Sequence, residues 1–182
     1  MMGWCSVPAG KRTPDTGMII LGIDPGYAIL GYGVLEVLNG KTKAVDCGVI
    51  ETTPQMTFPE RLERLYTGTL ALIERFHPDH IAFEELFFYR NTTTALAVAA
   101  ARGVAILASQ QAGLPLFEYT PMQIKLSVTG DGHADKQQMQ SMVKLLLHLN
   151  KIPKPDDAAD ALGVALTHAN ALGPAVSEFL IK

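Results

Sequence analysis

Four acidic residues, Asp24, Glu84, Asp157 and Asp160, are the groups of this chain best suited to chemistry, and three of them stand where a lone carboxylate is expensive. Asp24 ends the apolar run Met18–Asp24, and Glu84 ends the short apolar stretch Ile81-Ala-Phe-Glu84. Asp160 interrupts the apolar face of residues 158–166, and Asp157 precedes it by one helical turn. Charges persist in such places when something pairs with them. No lysine or arginine lies beside Asp24, Glu84 or Asp160 in the sequence. A carboxylate cluster without local cations points to a divalent metal, and an all-oxygen donor set suits Mg²⁺ or Mn²⁺. Two such ions about 4 Å apart can activate a water and stabilise the leaving oxygen of a phosphodiester. Each acid also has a plainer reading. Asp157 could complement a helix dipole, Asp24 before Pro25-Gly26 could shape a turn, and Asp156 reads as a helix-start charge. It is the joint pattern that favours chemistry.

Other residues could hold a nucleic acid beside such a site. Asp135-Lys136 opens a helix after a glycine-containing loop, which suits a phosphate gripped by backbone N–H groups and an ammonium. Lys125, Arg90, Arg102 and Lys144 are candidates for a basic rim. Phe87-Phe88-Tyr89 follows the Glu84 strand directly, where polar turn residues are expected, and an aromatic there could stack on an unpaired base. His133 reads as a loop hydrogen-bonder within reach of a scissile phosphate. His77, His80, His148 and His168 read as structural.

The elements that must position these groups follow from periodicity. Strands are expected at Met18–Asp24, 31–38 and 43–51, the last two joined around Asn39-Gly40, a hairpin signal. Thr57-Phe-Pro-Glu60 is a capping box opening a helix that ends at His77-Pro78. A buried strand is expected at His80–Glu84, an alanine-rich helix over 92–111 and a strand over 114–119. A short helix begins at Pro121 and runs to about Val128, another spans 135–149, and the last spans Asp156–Ala171. This order implies a single α/β domain, with one mixed sheet of about five strands flanked by helices. Asp24 and Glu84 then both end strands, where open α/β sheets place their ligands.

Composition bounds the rest. The 182 residues are 48% apolar and 18% charged, which suits one domain with a sizeable core. The net charge of −3 argues weakly against nucleic acid, although much of the acid belongs to the proposed metal cluster. Cys5 and Cys47 make neither a disulfide framework nor a zinc site, which fits a reducing cytoplasm. Residues 1–17 read as an unstructured leader, 18–172 as the folded domain and 173–182 as a short tail. No stretch approaches the length of a membrane span.

The motifs Gly22-Ile-Asp-Pro-Gly26 with Gly31-Tyr-Gly33, and Phe83-Glu-Glu-Leu-Phe87 with Asn91, resemble the RuvC family of Holliday-junction resolvases. So do Ala101-Arg-Gly103, Gly132-His-Ala-Asp-Lys136 and Asp157-Ala-Ala-Asp-Ala-Leu162 with Thr167-His168, in the same order from Met18 to about Ala169. The resemblance implies an RNase H-like fold and a homodimer that cuts four-way DNA junctions by two symmetric metal-dependent nicks in recombination and repair. It places the metal-binding, catalytic acids at Asp24, Glu84, Asp157 and Asp160, with two Mg²⁺ or Mn²⁺ ions per site. It places the junction-wedging aromatic at Phe87 and the phosphate-binding lysine at Lys136. Arg90, His133 and Lys125 complete the expected DNA contacts, and the branch-migration proteins RuvA and RuvB are the implied partners. Asp131, between the two glycines before His133, departs from the basic or neutral residue usual there.

Rival readings are a sugar kinase or actin-like ATPase, whose phosphate loop also begins Gly-Ile-Asp, and an RNase H-superfamily nuclease acting on RNA or RNA:DNA hybrid. A junction-binding module without catalysis is a third. The kinase reading needs a second similar domain, for which 182 residues leave no room.

Overall fold

The computed structural model describes residues 17–86 and 92–181. The leader expected at the N-terminus therefore lies outside the described residues except for Gly17, as do Phe87 and Arg90. Among the described residues, five strands form one sheet: β1 (Met18–Asp24), β2 (Ile29–Leu38), β3 (Lys41–Glu51), β4 (His80–Glu84) and β5 (Leu116–Tyr119). Their order across the sheet is β3-β2-β1-β4-β5. β1, β2 and β3 are antiparallel neighbours, with Asn39 and Gly40 at positive φ in the hairpin turn. β4 and β5 join in parallel through the helical crossovers α1 (Phe58–Phe76) and α2 (Thr92–Gln111). The mixed sheet expected from the sequence is present.

Strand alternation sorts the side chains onto two faces. Leu21, Ile23, Ile81 and Phe83 pack with Leu65 and Leu72 of α1 and with Ala101 and Ala105 of α2. Ile20, Leu35, Ala82, Phe117 and Tyr119 face the opposite core. There they meet α3 (Pro121–Thr129), α4 (Lys136–Leu146) and α5 (Asp156–Ala171) through Ile124, Val143, Leu162 and Ala165.

α5 lies unusually close to the sheet. A Cβ on Gly31 would come 2.1 Å from the backbone oxygen of Asp157, one on Gly22 would come 2.3 Å from that of Ala161, and one on Gly33 would sit 2.7 Å from the nitrogen of Leu162. Glycine at these three sheet positions, against an alanine-rich helix, lets the two backbones meet without side chains between them.

Four boundaries differ from expectation by two residues or more, among them the start of β3 at Lys41 and not at residue 43. β2 starts at Ile29 and not at residue 31, because the ladder continues to the pair Ile29–Glu51. β5 starts at Leu116: Leu114 is held by a turn after Gly113, and Pro115 offers only its carbonyl, which accepts from Ile81 N at 3.1 Å. α4 stops at Leu146 and not at 149, since His148 adopts φ 51° and closes the helix. The tail is docked: a 3₁₀ turn (Val176–Phe179) sets Phe179 on Tyr119, and Ile181 N donates to Leu116 O at 2.9 Å along the edge of β5.

Gly31→Ala should cost about 2–3 kcal/mol, because the added methyl overpacks backbone that can yield only by lifting α5 off the sheet. Urea unfolding would read this as a lower midpoint at unchanged slope.

Candidate active site

Asp24 is the residue after Ile23, Glu84 the residue after Phe83, and Ile23 pairs with Phe83 across the parallel strands. The two carboxylates thus end adjacent strands. Both point to the α5 face, since Asp24 lies two residues beyond Gly22 and Glu84 two beyond Ala82. The contact of Gly31 with Asp157 brings the first turn of α5 over these strand ends, with Asp160 one turn further on.

The electrostatics record the convergence. Burial, then the charges of Glu84, Asp160 and Asp157, push Asp24 up to about 8. Burial and the charge of Asp160 push Glu84 up to about 6, against the opposing pull of Lys125 and Lys136. Asp24 and Glu84 share a hydrogen bond that raises the first and lowers the second, so the proton rests on Asp24. Asp160 is also raised, chiefly by burial. Asp24 therefore feels the charges of the other three expected acids, and Lys125 and Lys136 act on the same cluster.

Asp160 has a cation that the sequence order conceals. Lys136 Nζ, at the first position of α4, lies 3.3 Å from Asp160 Oδ2 and 3.3 Å from Asp156 Oδ2. Asp135 caps that helix by accepting from Gln138 N at 2.8 Å, which fixes where Lys136 starts. Asp156 has no capping hydrogen bond to make, being the first helical residue after Pro155. It serves instead as a partner of Lys154, at 2.6 Å, and of Lys136. These bonds hold its carboxyl down at about 2. Its pairing is the feature the sequence reading missed, and Lys154 two residues away was the available signal.

The remaining expectations divide. His133 sits in the loop between α3 and α4, where its N–H donates to Asp131 Oδ1 at 2.9 Å. Asp131 N in turn donates to Thr129 Oγ1 at 3.1 Å, so this aspartate shapes the loop. Arg102 does not join the basic rim, because its guanidinium is paired with Glu118, on β5. His168 is fully buried, with one ring nitrogen 2.8 Å from His80 Nδ1 and the other 2.8 Å from Tyr119 Oη. Burial and neighbouring His80 lower it to about 3, which fits the structural role expected for both histidines.

Among the described residues, no three such groups stand in a ready-made metal cage. Asp24 is turned to Glu84 through a proton, and Asp160 to Lys136 through an ion pair. The donor chemistry nevertheless fits a divalent ion: four carboxylates, oxygen ligands alone, and a mutual repulsion that a divalent charge relieves.

A mixed sheet with strand-end carboxylates crossed by an acidic helix defines an RNase H-like nuclease architecture. The family described as "Crossover junction endodeoxyribonuclease RuvC" matches residues 20–168. The curated enzyme of that name from Desulforamulus reducens is 54% identical over 152 residues, 84% of this chain and 93% of its own. The Thermus thermophilus RuvC structure aligns with a TM-score of 0.80 at 38% identity, over 90% of this chain and 98% of that one. The T. thermophilus protein in complex with Holliday junction substrate aligns at 0.76, also at 38% identity, over 84% and 93%. This chain belongs to the RuvC family.

In the metal-free protein, Asp24→Asn should raise stability. The native state holds the Asp24 proton up to about pH 8 while the unfolded chain releases it near 3.8, so wild-type stability falls as pH rises through that window. The advantage of the asparagine variant should be absent near pH 4, grow as pH rises and be full above pH 8, where the change from 3.8 to about 8 sets its ceiling at roughly 6 kcal/mol. Thermal unfolding of both proteins in EDTA from pH 4 to 9 measures it, and parallel curves would remove the carboxylate repulsion.

Proposed function

We propose that this protein is a structure-selective endonuclease that resolves four-way DNA junctions, and that Asp24, Glu84, Asp157 and Asp160 carry its catalysis. The observation behind this reading is the convergence of those four acids at the ends of β1, β4 and α5 in a chain of the RuvC family. The T. thermophilus relative has been seen with a Holliday junction, which favours that substrate over RNA or an RNA:DNA hybrid.

In this reading the four carboxylates hold Mg²⁺ or Mn²⁺, two ions per site, which would supply an activated water and charge for the leaving oxygen. To serve as a ligand Asp24 would give up the proton that its burial and the neighbouring acids let it keep. Lys136 and Lys125 lie beside the cluster and offer positive charge to the DNA backbone. The α3–α4 loop places His133 and the first N–H groups of α4 nearby. Phe87 and Arg90, immediately after the Glu84 strand in sequence, are assigned to junction contact.

Two coordinated nicks need two sites, and α2 carries a surface that supports a homodimer. Leu96, Ala99, Gly103 and Leu107 fall on one helical stripe, and all four are exposed. Leu96 is 77% exposed and Leu107 49%, while a Cβ at Gly103 would meet nothing within 4 Å. An apolar stripe with small residues at its centre suits close packing against a second copy. RuvA and RuvB are the partners assigned to the dimer. Among the described residues, no helix is long and apolar enough to cross a membrane, and work on chromosomal junctions assigns the enzyme to the cytoplasm.

A labelled four-way junction, offered beside duplex and RNA:DNA hybrid with Mg²⁺, Mn²⁺ or EDTA, tests the activity. Paired symmetric nicks that vanish in EDTA are expected, and preferential hybrid cleavage would overturn the reading. Asp24→Asn should bind the junction about as well as wild type and cut it at least 100-fold more slowly, roughly the scale on which a displacement reaction loses one electrostatic contact. Leu96→Glu should shift the sedimentation profile toward monomer. An unchanged profile would place the dimer elsewhere.

A further inference from the structure

Asp156 stands beside the catalytic acids without being one of them, and its surroundings assign it a task. Its two oxygens are divided between lysines, with Oδ1 taking Lys154 Nζ at 2.6 Å and Oδ2 facing Lys136 Nζ at 3.3 Å. The same Lys136 ammonium lies 3.3 Å from Asp160 Oδ2. Charges therefore alternate along the first turn of α5 in the order Lys154, Asp156, Lys136, Asp160. Gln140, one turn after Lys136 on α4, is buried, and its side chain adds a hydrogen bond that helps hold the Asp156 carboxyl down.

Asp160 holds the Lys136 ammonium less tightly once a divalent ion also sits on its carboxylate. Two cations on one carboxylate repel strongly at these distances. An ammonium expelled to water would be free to leave the site, and recalling it for a phosphate would cost side-chain entropy. Asp156 removes that problem, since it already touches the ammonium and Lys154 fixes its other oxygen.

We propose that Asp156 is a positioning residue, which receives the Lys136 ammonium when Asp160 turns to a divalent cation and so keeps it beside the cluster for a DNA phosphate. This rests on the reading that the four acids bind divalent cations. Two simpler roles compete with it, because Asp156 could act through the dipole of α5 or through its own field on the cluster. Neither depends on Lys136.

A double-mutant cycle separates them. Mn²⁺ is titrated into the metal-free protein, and the free ion is followed by paramagnetic resonance in wild type, Asp156→Asn, Lys136→Gln and the double variant. With Lys136 present, Asp156→Asn should weaken Mn²⁺ binding about fivefold, the upper range for an exposed ion pair. In the Lys136→Gln background the same change should matter less than about twofold. Asp156→Glu should restore the wild-type value, since it keeps the anion within reach of the ammonium. Equal weakening in both backgrounds, or none in either, would overturn the positioning role while leaving the carboxylate site intact. No Mn²⁺ binding by the wild-type protein would overturn both. Melting curves of each variant exclude a loss of fold as the cause.

Discussion

The close seating of α5 on β1 and β2 is the contact on which the rest of this structure depends. A helix on a sheet usually stands off by the thickness of two side-chain layers. Here Gly22, Gly31 and Gly33 remove one layer, and the alanines of α5 thin the other. The first turn of the helix is thereby drawn down onto the strand ends, and Asp157 and Asp160 arrive within electrostatic reach of Asp24 and Glu84. Packing and chemistry are the same event: any residue larger than glycine at these positions would lift the helix and pull the acids apart.

Bringing four carboxylates together has an electrostatic cost, and the fold meets it with substitutes for metal. One is a proton, held by Asp24 and shared with Glu84. The other is the Lys136 ammonium, placed on Asp160 by a capped helix start. Both are displaceable. A site stabilised by an arginine buried among the acids would be more rigid but harder to load, because a buried bidentate pair is far stronger than a partly exposed lysine contact.

Behind the site, the last turns of α5 are fixed to the sheet by uncharged contacts. His168 near the end of α5 is hydrogen-bonded to Tyr119 of β5 and His80 of β4, and Phe117 packs on its ring. The C-terminal turn then covers Tyr119. The helix that carries two of the acids is therefore anchored at both ends, by glycine contacts at the site and by this aromatic cluster behind it.

Much of this was legible in the chain itself. The period-two runs, the Asn39-Gly40 turn and the capping box at Thr57 are local signals, and the elements they announced are present to within a few residues. Asp24, Glu84 and Asp160 stood out because each is a charge in an apolar setting, which a sequence displays directly. The boundary errors arose at Pro115, whose carbonyl pairs with β4 across the sheet, and at His148, whose backbone turns left-handed to end α4. What the sequence by itself determined was which residues alternate, which helices begin where, and which acids are too costly to stand alone. Only the tertiary structure decided that Gly31 lies under Asp157 and that Lys136 sits between Asp156 and Asp160. Those pairings join residues from 20 to more than 100 positions apart, and a charge has no partner in a sequence until folding sets the distance between them.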